Sequence, residues 1–338
     1  ISPAPTPIAQ SFYSSSTPAQ PLMTPYPTVT STPTRRASAS DSGVELGVAA
    51  LGVIGFLAVL FQLLSGCEPL CARIRQLQGT GDAILSSCQQ LLSSFVHANS
   101  RSIHPQSLVL ATLSPRFIDQ LGQRFVRRDA SHMFEAAIEA LCDSRDGRLV
   151  TALQDQFLLR VMHRCECVCG ELFDTAPCSR YTFCVAASVL LQNIEAAPSS
   201  LMGFGLGSTC PRTTCNRQMR TSLFVVPPLP KALVVAIAWS GATALVNSAS
   251  VIQRVERAFF LDRVVGGLPS MTPLVLSGLI CLYDDDKHVG FLPYHAGWRV
   301  FDDASAVHHC SDNFDHLIRS CSAAKLRPAY LLYTFTKS

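Results

Sequence analysis

Charged side chains are scarce in this chain: 27 Lys and Arg and 24 Asp and Glu make up 15% of 338 residues, with a formal net charge of +3. A balance this small and this dispersed excludes a strongly electrostatic partner such as duplex DNA, and it assigns basic pairs such as Arg127-Arg128 to a solvated helix face. No internal repeat is present, so solenoid and propeller architectures are excluded. The apolar run at 46–65 has no basic cluster beside it: the nearest basic residues are Arg35 and Arg36 upstream and Arg73 and Arg75 downstream. The chain also lacks a starting Met, so Ile1 reads as the end of a fragment or processed product, and a signal peptide is neither implied nor excluded.

Apolar residues, at 48%, are plentiful enough for a large core, in one sizeable domain or two ordinary ones. Fourteen cysteines would suggest a disulfide framework in a mini-protein, but a chain this long and apolar does not need one. Cys88, Cys142, Cys184 and Cys281 lie inside apolar runs, where a thiol behaves as a small hydrophobe. Cys165, Cys167 and Cys169 crowd together, and Cys210 and Cys215 form a second close pair. That grouping suits a metal site in a reducing compartment, cytoplasmic or nuclear, better than disulfides.

Residues 1–42 are dominated by Pro, Ser and Thr and carry no periodic apolar positions. They read as a disordered tail or linker, in which Arg35-Arg36-Ala37-Ser38 has the form of a basophilic phosphorylation motif. From 43 to 156 the pattern is helical; Phe134, Ile138 and Leu141 make one stripe, and Asp129 stands where a first-turn acid is favourable. Beyond that, short Val-, Ile-, Phe- and Tyr-rich runs are broken by Gly, Pro and Asp, which predicts an antiparallel sheet. Helices first and strands after predict an α+β protein.

The C-terminal segment LSGLICLYDDDKHVGFLPYHAGWRVFDDASAV, followed after a spacer by AYLLYTF, resembles the end of the ubiquitin-specific protease domain. The matching residues are His288, Trp298, Phe301, Asp302, Asp303, Ala329, Tyr330, Leu332 and Tyr333. RRDASHMFEAAIEALCD is similar to that family's Gln-Asp-Ala-x-Glu-Phe helix, with Asp129 and Ala130 in place and His132 where glutamate is usual. PPLPKALVVAIAWSG is similar to the strand entering the palm. The resemblance covers residues 43 to about 335. It implies a papain-like cysteine protease fold with a helical thumb (43–156), β fingers (157–225) and an antiparallel-sheet palm (226–338).

It also implies roles. His288 falls at the general base, Asp302 at the residue that orients it with Asp303 beside it, and Asp129 and Trp298 at ubiquitin contacts. The cysteines at 165, 167, 169, 210 and 215 fall where fingers often hold a structural zinc. The candidates are Cys167 and Cys169, or Cys165, with Cys210 and Cys215; their C-x-C and C-x-x-x-x-C spacings depart from the usual C-x-x-C pairs, which leaves the ligand set open. No cofactor is expected for catalysis.

The family's N-terminal pattern, Gly-Leu-x-Asn-Leu-Gly-Asn-Thr-Cys-Phe-Met-Asn-x-x-Leu-Gln-x-Leu, aligns with GVAALGVIGFLAVLFQLL at 47–64. Gly47, Leu51, Gly52, Phe56, Gln62 and Leu64 keep the frame. The nucleophile is replaced by Gly55 and the oxyanion asparagine by Ala50, with Val53 and Ala58 at two further polar positions. Losing an oxyanion donor costs about 10²–10³ in rate, and losing the nucleophile removes the covalent route. The expectation is an inactive deubiquitinase-like module that binds ubiquitin, a ubiquitin-like protein or another partner as a scaffold. Two alternatives remain. One is an active thiol isopeptidase with a different nucleophile, for which Cys281 precedes His288 while Cys67 and Cys71 lie about 18 Å or more along the helix from Gly55. The other is a membrane anchor spanning 44–66.

Overall fold

The computed structural model describes residues 48–78, 81–97, 104–126, 132–191, 210, 215, 217, 220–239, 248–260, 273–283, 287–294, 297–302, 308–311 and 313–335. The chain separates into two units, Ile1–Glu45 and Leu46–Ser338, and all described residues belong to the second. Asp129, Asp303, Arg127-Arg128 and the Arg35–Ser38 motif lie outside the described residues.

Helices come first: α1 (Val48–Ser65), α2 (Glu68–Gln76), α3 (Ala83–His97), α4 (Pro105–Thr112), α5 (Pro115–Val126), α6 (Met133–Leu141) and α7 (Gly147–Phe157). Local chemistry sets several of their starts, where a side-chain oxygen satisfies an N–H that the helix itself cannot. Asp82 accepts from the Leu85 N–H at 2.8 Å, Ser114 from Phe117 at 3.2 Å, and Asp146 from Arg148 at 2.9 Å. Pro69 sits in the first turn of α2, where its missing N–H costs nothing. That turn follows a 95° bend from the axis of α1.

α1 is apolar on every side, and a helix of that kind has to be covered on every side. α3, α4 and α5 pack on it from one direction, β9 (defined below) from another, and its residues from Val53 to Leu64 are all buried. Among the described residues no single helix is long and apolar enough to cross a membrane; α1 passes that test only together with α2, across the bend.

Strands follow: β1 (Leu159–Glu166), β2 (Leu172–Asp174), β3 (Cys178–Arg180) and β4 (Phe183–Ala186), then the short α8 (Ala187–Leu190), β5 (Arg220–Val225) and β6 (Ala232–Ala238). α9 (Ser248–Ile252), β7 (Ala258–Phe260), β8 (Pro273–Tyr283), β9 (Lys287–Tyr294), β10 (Gly297–Asp302), β11 (His308–Ser311), α10 (Phe314–Ala323) and β12 (Arg327–Phe335) complete the chain. β1 pairs with β2, β3 and β5 in a small antiparallel sheet. The larger sheet runs β11-β10-β9-β8-β12-β6-β4, with β7 on β8.

Both faces of the larger sheet are covered, as its near-continuous apolar strands require. Alternate residues of β6, β8 and β12 divide between two cores. Val234, Ile280 and Tyr330 face the helical layer, whereas Val235, Cys281 and Leu331 belong to the other cluster. Gly278 and Gly290 make close approaches possible. A Cβ at Gly278 would overlap Leu63 of α1, and one at Gly290 would overlap the ring of Phe301 across the β9–β10 pair.

Two features correct the expected layout. The larger sheet is not wholly antiparallel, because β4 runs parallel to β6 with Phe183 opposite Val235 and Val185 opposite Ile237. The stretch 157–225 is therefore not all one small sheet. β4 and α8 leave it because Phe183 and Val185, 3% and 0% exposed, find their apolar cover in the second core.

Candidate functional site

Gly55 lies inside α1, buried, about two turns from the start of the helix. Ala50 lies in the first turn of the same helix. A thiolate is favoured at a helix N-terminus by the backbone dipole, and position 55 is too deep to receive that help. Its neighbour Phe56, fully buried, packs edge-on against the imidazole of His288, with ring centroids 5.2 Å apart. Phe125 and Tyr330 also meet Phe56, each at 5.8 Å, and Phe134 joins Tyr330 at 5.9 Å. The Tyr330 hydroxyl accepts from the Phe134 N–H at 3.2 Å, giving the first turn of α6 the cap that His132 does not. An N–H left open at a helix start needs such a partner when it is buried.

His288 is the second residue of β9, opposite Leu282, and is 3% exposed. Its Nδ1 is buried with no hydrogen-bond partner, so the orienting bond expected from Asp302 is not formed at that nitrogen. Burial alone pushes the imidazole down to about 4, keeping it neutral. Asp302 ends β10 opposite Val289, and its main-chain carbonyl accepts from Gln62 Nε2 at 3.3 Å. The helix and the strands that carry residues 55, 56, 288 and 302 are thus brought together, but the space between them is filled by aromatic rings. Trp298 of β10 is buried against Phe314 of α10, with centroids 6.0 Å apart, rather than displayed for a ligand.

None of the cysteines considered as substitute nucleophiles is placed for the work. Cys281 faces the opposite side of the sheet from Leu282, in the second core beside Cys321, and burial holds its thiol well above the usual range. Cys67 is pushed up to about 12 and Cys71 to about 11, in both cases chiefly by burial.

The cysteines of the small sheet do converge. Cys167, Cys169, Cys210 and Cys215 have sulfur atoms all within 4.8 Å of one another. Cys167 Sγ lies 3.5 Å from Cys215 Sγ, and Cys169 Sγ 3.6 Å from Cys210 Sγ. A tetrahedral zinc with bonds of about 2.3 Å sets its sulfur ligands about 3.8 Å apart, so this set fits the metal. A tight hairpin turn between β1 and β2 supplies one half: Gly170 donates to the Cys167 carbonyl and Cys167 N–H to the Glu171 carbonyl, each at 2.9 Å. Gly170 has a φ of 84°, a left-handed conformation that its missing Cβ allows. The other half is held by the Cys210 N–H, which donates to the Arg217 carbonyl at 2.9 Å. Hydrogen bonds from the Glu171 backbone, then from Cys167, bring the exposed Cys169 thiol down to about 7.

Cys165 is excluded from the four. It packs with Phe173 against Cys167 and Cys210, and its sulfur is not one of the four that lie within 4.8 Å of one another.

No family model and no curated protein matches this sequence. Among solved structures, the chain is similar to the apo Pan2 pseudoubiquitin hydrolase–RNA exonuclease module of Saccharomyces cerevisiae in complex with A7 RNA, with a TM-score of 0.55 and 12% sequence identity. The fold is that of a ubiquitin hydrolase-like module. The match covers 83% of this chain and 51% of the Pan2 chain, about half the length of that module.

What sequence reasoning missed is the aromatic group around His288. Phe56 and Tyr330 enter the sequence reading only as members of separate motifs and Phe134 as part of a helical stripe, and nothing in the sequence joins them to one another or to Phe125. Gln62 carried a weak signal, being a lone amide in an uncharged run.

Proposed function

We propose that this chain is a catalytically inactive module of the papain-like type, in which the helical layer is the thumb, the small sheet the fingers and the larger sheet the palm. It works by binding proteins rather than by cleaving isopeptide bonds. The observation that carries this reading is the state of position 55: a glycine, buried within a continuous helix, followed by a phenylalanine packed on the only histidine the family pattern offers as base. A base without a nucleophile does no acyl transfer, and His288 is itself uncharged, lacking a partner at Nδ1, and enclosed. The Pan2 module is described as a pseudoubiquitin hydrolase, which supports an inactive reading of the shared fold. Ubiquitin or a ubiquitin-like protein is the partner class that the resemblance supports, in a reducing compartment, cytoplasmic or nuclear.

The four thiols of Cys167, Cys169, Cys210 and Cys215 would hold zinc as a structural ion. Four sulfur ligands close the coordination sphere, so the metal would brace the small sheet and leave no position for a substrate.

The test is a ubiquitin-derived electrophilic probe incubated with the purified chain, beside a titration with isotope-labelled ubiquitin. No labelling is expected. Labelling abolished by one cysteine substitution would overturn the inactive reading. A titration without chemical-shift change up to millimolar ubiquitin would remove ubiquitin as the partner.

A further inference from the structure

Two sulfur–sulfur contacts in the cysteine cluster are shorter than the roughly 3.8 Å edge of a tetrahedral zinc–thiolate set. Each joins a cysteine of the β1–β2 turn to one beyond it: Cys167 to Cys215 at 3.5 Å, and Cys169 to Cys210 at 3.6 Å. We propose that the cluster is also a thiol–disulfide exchange site, which in the metal-free chain closes as two cross-segment disulfides, Cys167–Cys215 and Cys169–Cys210. This inference rests on the cluster alone and stands whether or not the module is inactive.

A disulfide has a sulfur–sulfur bond of about 2.05 Å, so each pair has to close by about 1.5 Å. Cys165 stands outside the four-sulfur set and is not part of the exchange. Cys169 is exposed and Cys215 half-buried, so each pair has one sulfur that an incoming reagent can reach.

The oxidant is a small dialkyl disulfide such as oxidised glutathione. The Cys169 thiolate attacks one of its sulfurs, forming a mixed disulfide and expelling one glutathione thiolate. Cys210 sulfur then attacks the Cys169 sulfur, forming the protein disulfide and expelling the second glutathione thiolate. The protein loses two electrons and two protons, and both protons end on glutathione. Cys215 and Cys167 react in the same way. The product cannot take a metal with those sulfurs, and the cross-links tie the β1–β2 turn to Cys210 and Cys215 in its place. Excess reduced thiol reverses both steps.

The experiment uses the whole chain, stripped with EDTA and incubated with oxidised or reduced glutathione. Free thiols are then alkylated and the protein is digested with trypsin without reduction. Cleavage at Arg212 separates Cys210, in peptide 181–212, from Cys215, in peptide 213–217, while Cys167 and Cys169 share peptide 165–180. The expected result is peptide 165–180 cross-linked to both others after oxidation, with loss of alkylation at all four cysteines and its return on reduction. Cys169→Ser should lose the link to 181–212 and keep the link to 213–217; Cys167→Ser should do the reverse. Cys165→Ser should keep both. A direct link between 181–212 and 213–217, a link that needs Cys165, or full alkylation of the four thiols after oxidation would each overturn the proposal.

Discussion

Phe56 and His288 meet edge to face, with ring planes at 64° and centroids 5.2 Å apart, and the imidazole has no hydrogen bond at Nδ1. The contact fixes a titratable group where water does not reach it, so the protonation of His288 is tied to folding. The unfolded imidazole titrates near 6.5 and the buried one near about 4. As pH falls through 6.5 the unfolded chain binds a proton that the folded chain refuses, so stability decreases and levels off below about 4. The difference amounts to on the order of 3 kcal/mol. Urea unfolding at steps from about pH 7.5 to about pH 4 should show that loss. His288→Leu, which removes the proton site and the unpaired nitrogen, should flatten it; an unchanged slope in the variant would assign the loss to another group.

Restoring the missing nucleophile should not restore the enzyme. In Gly55→Cys the thiol would sit within α1, among residues that are all buried, and burial elsewhere in the helical layer holds Cys67, before α2, and Cys88, in α3, each at about 12. Ala50 would still lack the amide that stabilises the oxyanion, a loss of about 10²–10³ in rate by itself. The ubiquitin electrophile should leave this variant unlabelled at neutral pH, and rapid single-site labelling would contradict the placement of position 55.

The Gly290–Phe301 contact should show as strong coupling. Gly290→Ala forces the Phe301 ring to move in a filled core, and overpacking of that kind costs about 1–3 kcal/mol. Phe301→Leu alone leaves a smaller side chain over the glycine and also destabilises. The double variant should be more stable than the sum of the two losses predicts, by about 0.5 kcal/mol or more. Additive denaturation midpoints would mean that the ring is not what excludes a Cβ.

Zinc content should separate Cys165 from its neighbours. Elemental analysis of protein purified with zinc present should find near-stoichiometric metal in the unaltered chain and in Cys165→Ser. It should find next to none in Cys210→Ser or Cys167→Ser, and EDTA should lower the melting temperature only of the first two. Retention of metal by Cys210→Ser would move the ligand set.

The sequence carried the order of elements, helices first and strands after, because it is written in local terms, in apolar periodicity and in the Gly, Pro and Asp breaks between short apolar runs. It also named all four cysteines of the cluster, together with a fifth that stands outside it. Whether Cys169 or Cys165 joins Cys167 was not legible, since both stand two residues from it. The turn at Gly170 decides it, bringing the sulfurs of Cys167 and Cys169 to those of Cys210 and Cys215. The missing Asp302 bond to His288 and the aromatic packing were hidden for another reason. They depend on how α1, α5, α6 and β12 come together over distances in sequence that no local pattern encodes. The parallel pairing of β4 was hidden in the same way, because FCVA reads identically in either direction of pairing.

That pairing bears on how the molecule can be taken apart. The chain runs through three strands of the small sheet, crosses to the outer edge of the large one as β4, and only then returns as β5 to finish the small sheet. The cysteine-bearing sheet is therefore stitched into its neighbour rather than appended to it. A deletion spanning 159–225 would strip β6 of its edge partner as well, baring the Ala232–Ala238 backbone to any extended peptide. Trimming meant to isolate the metal site has to spare Phe183–Ala186, or it yields a protein with a newly exposed, adhesive seam.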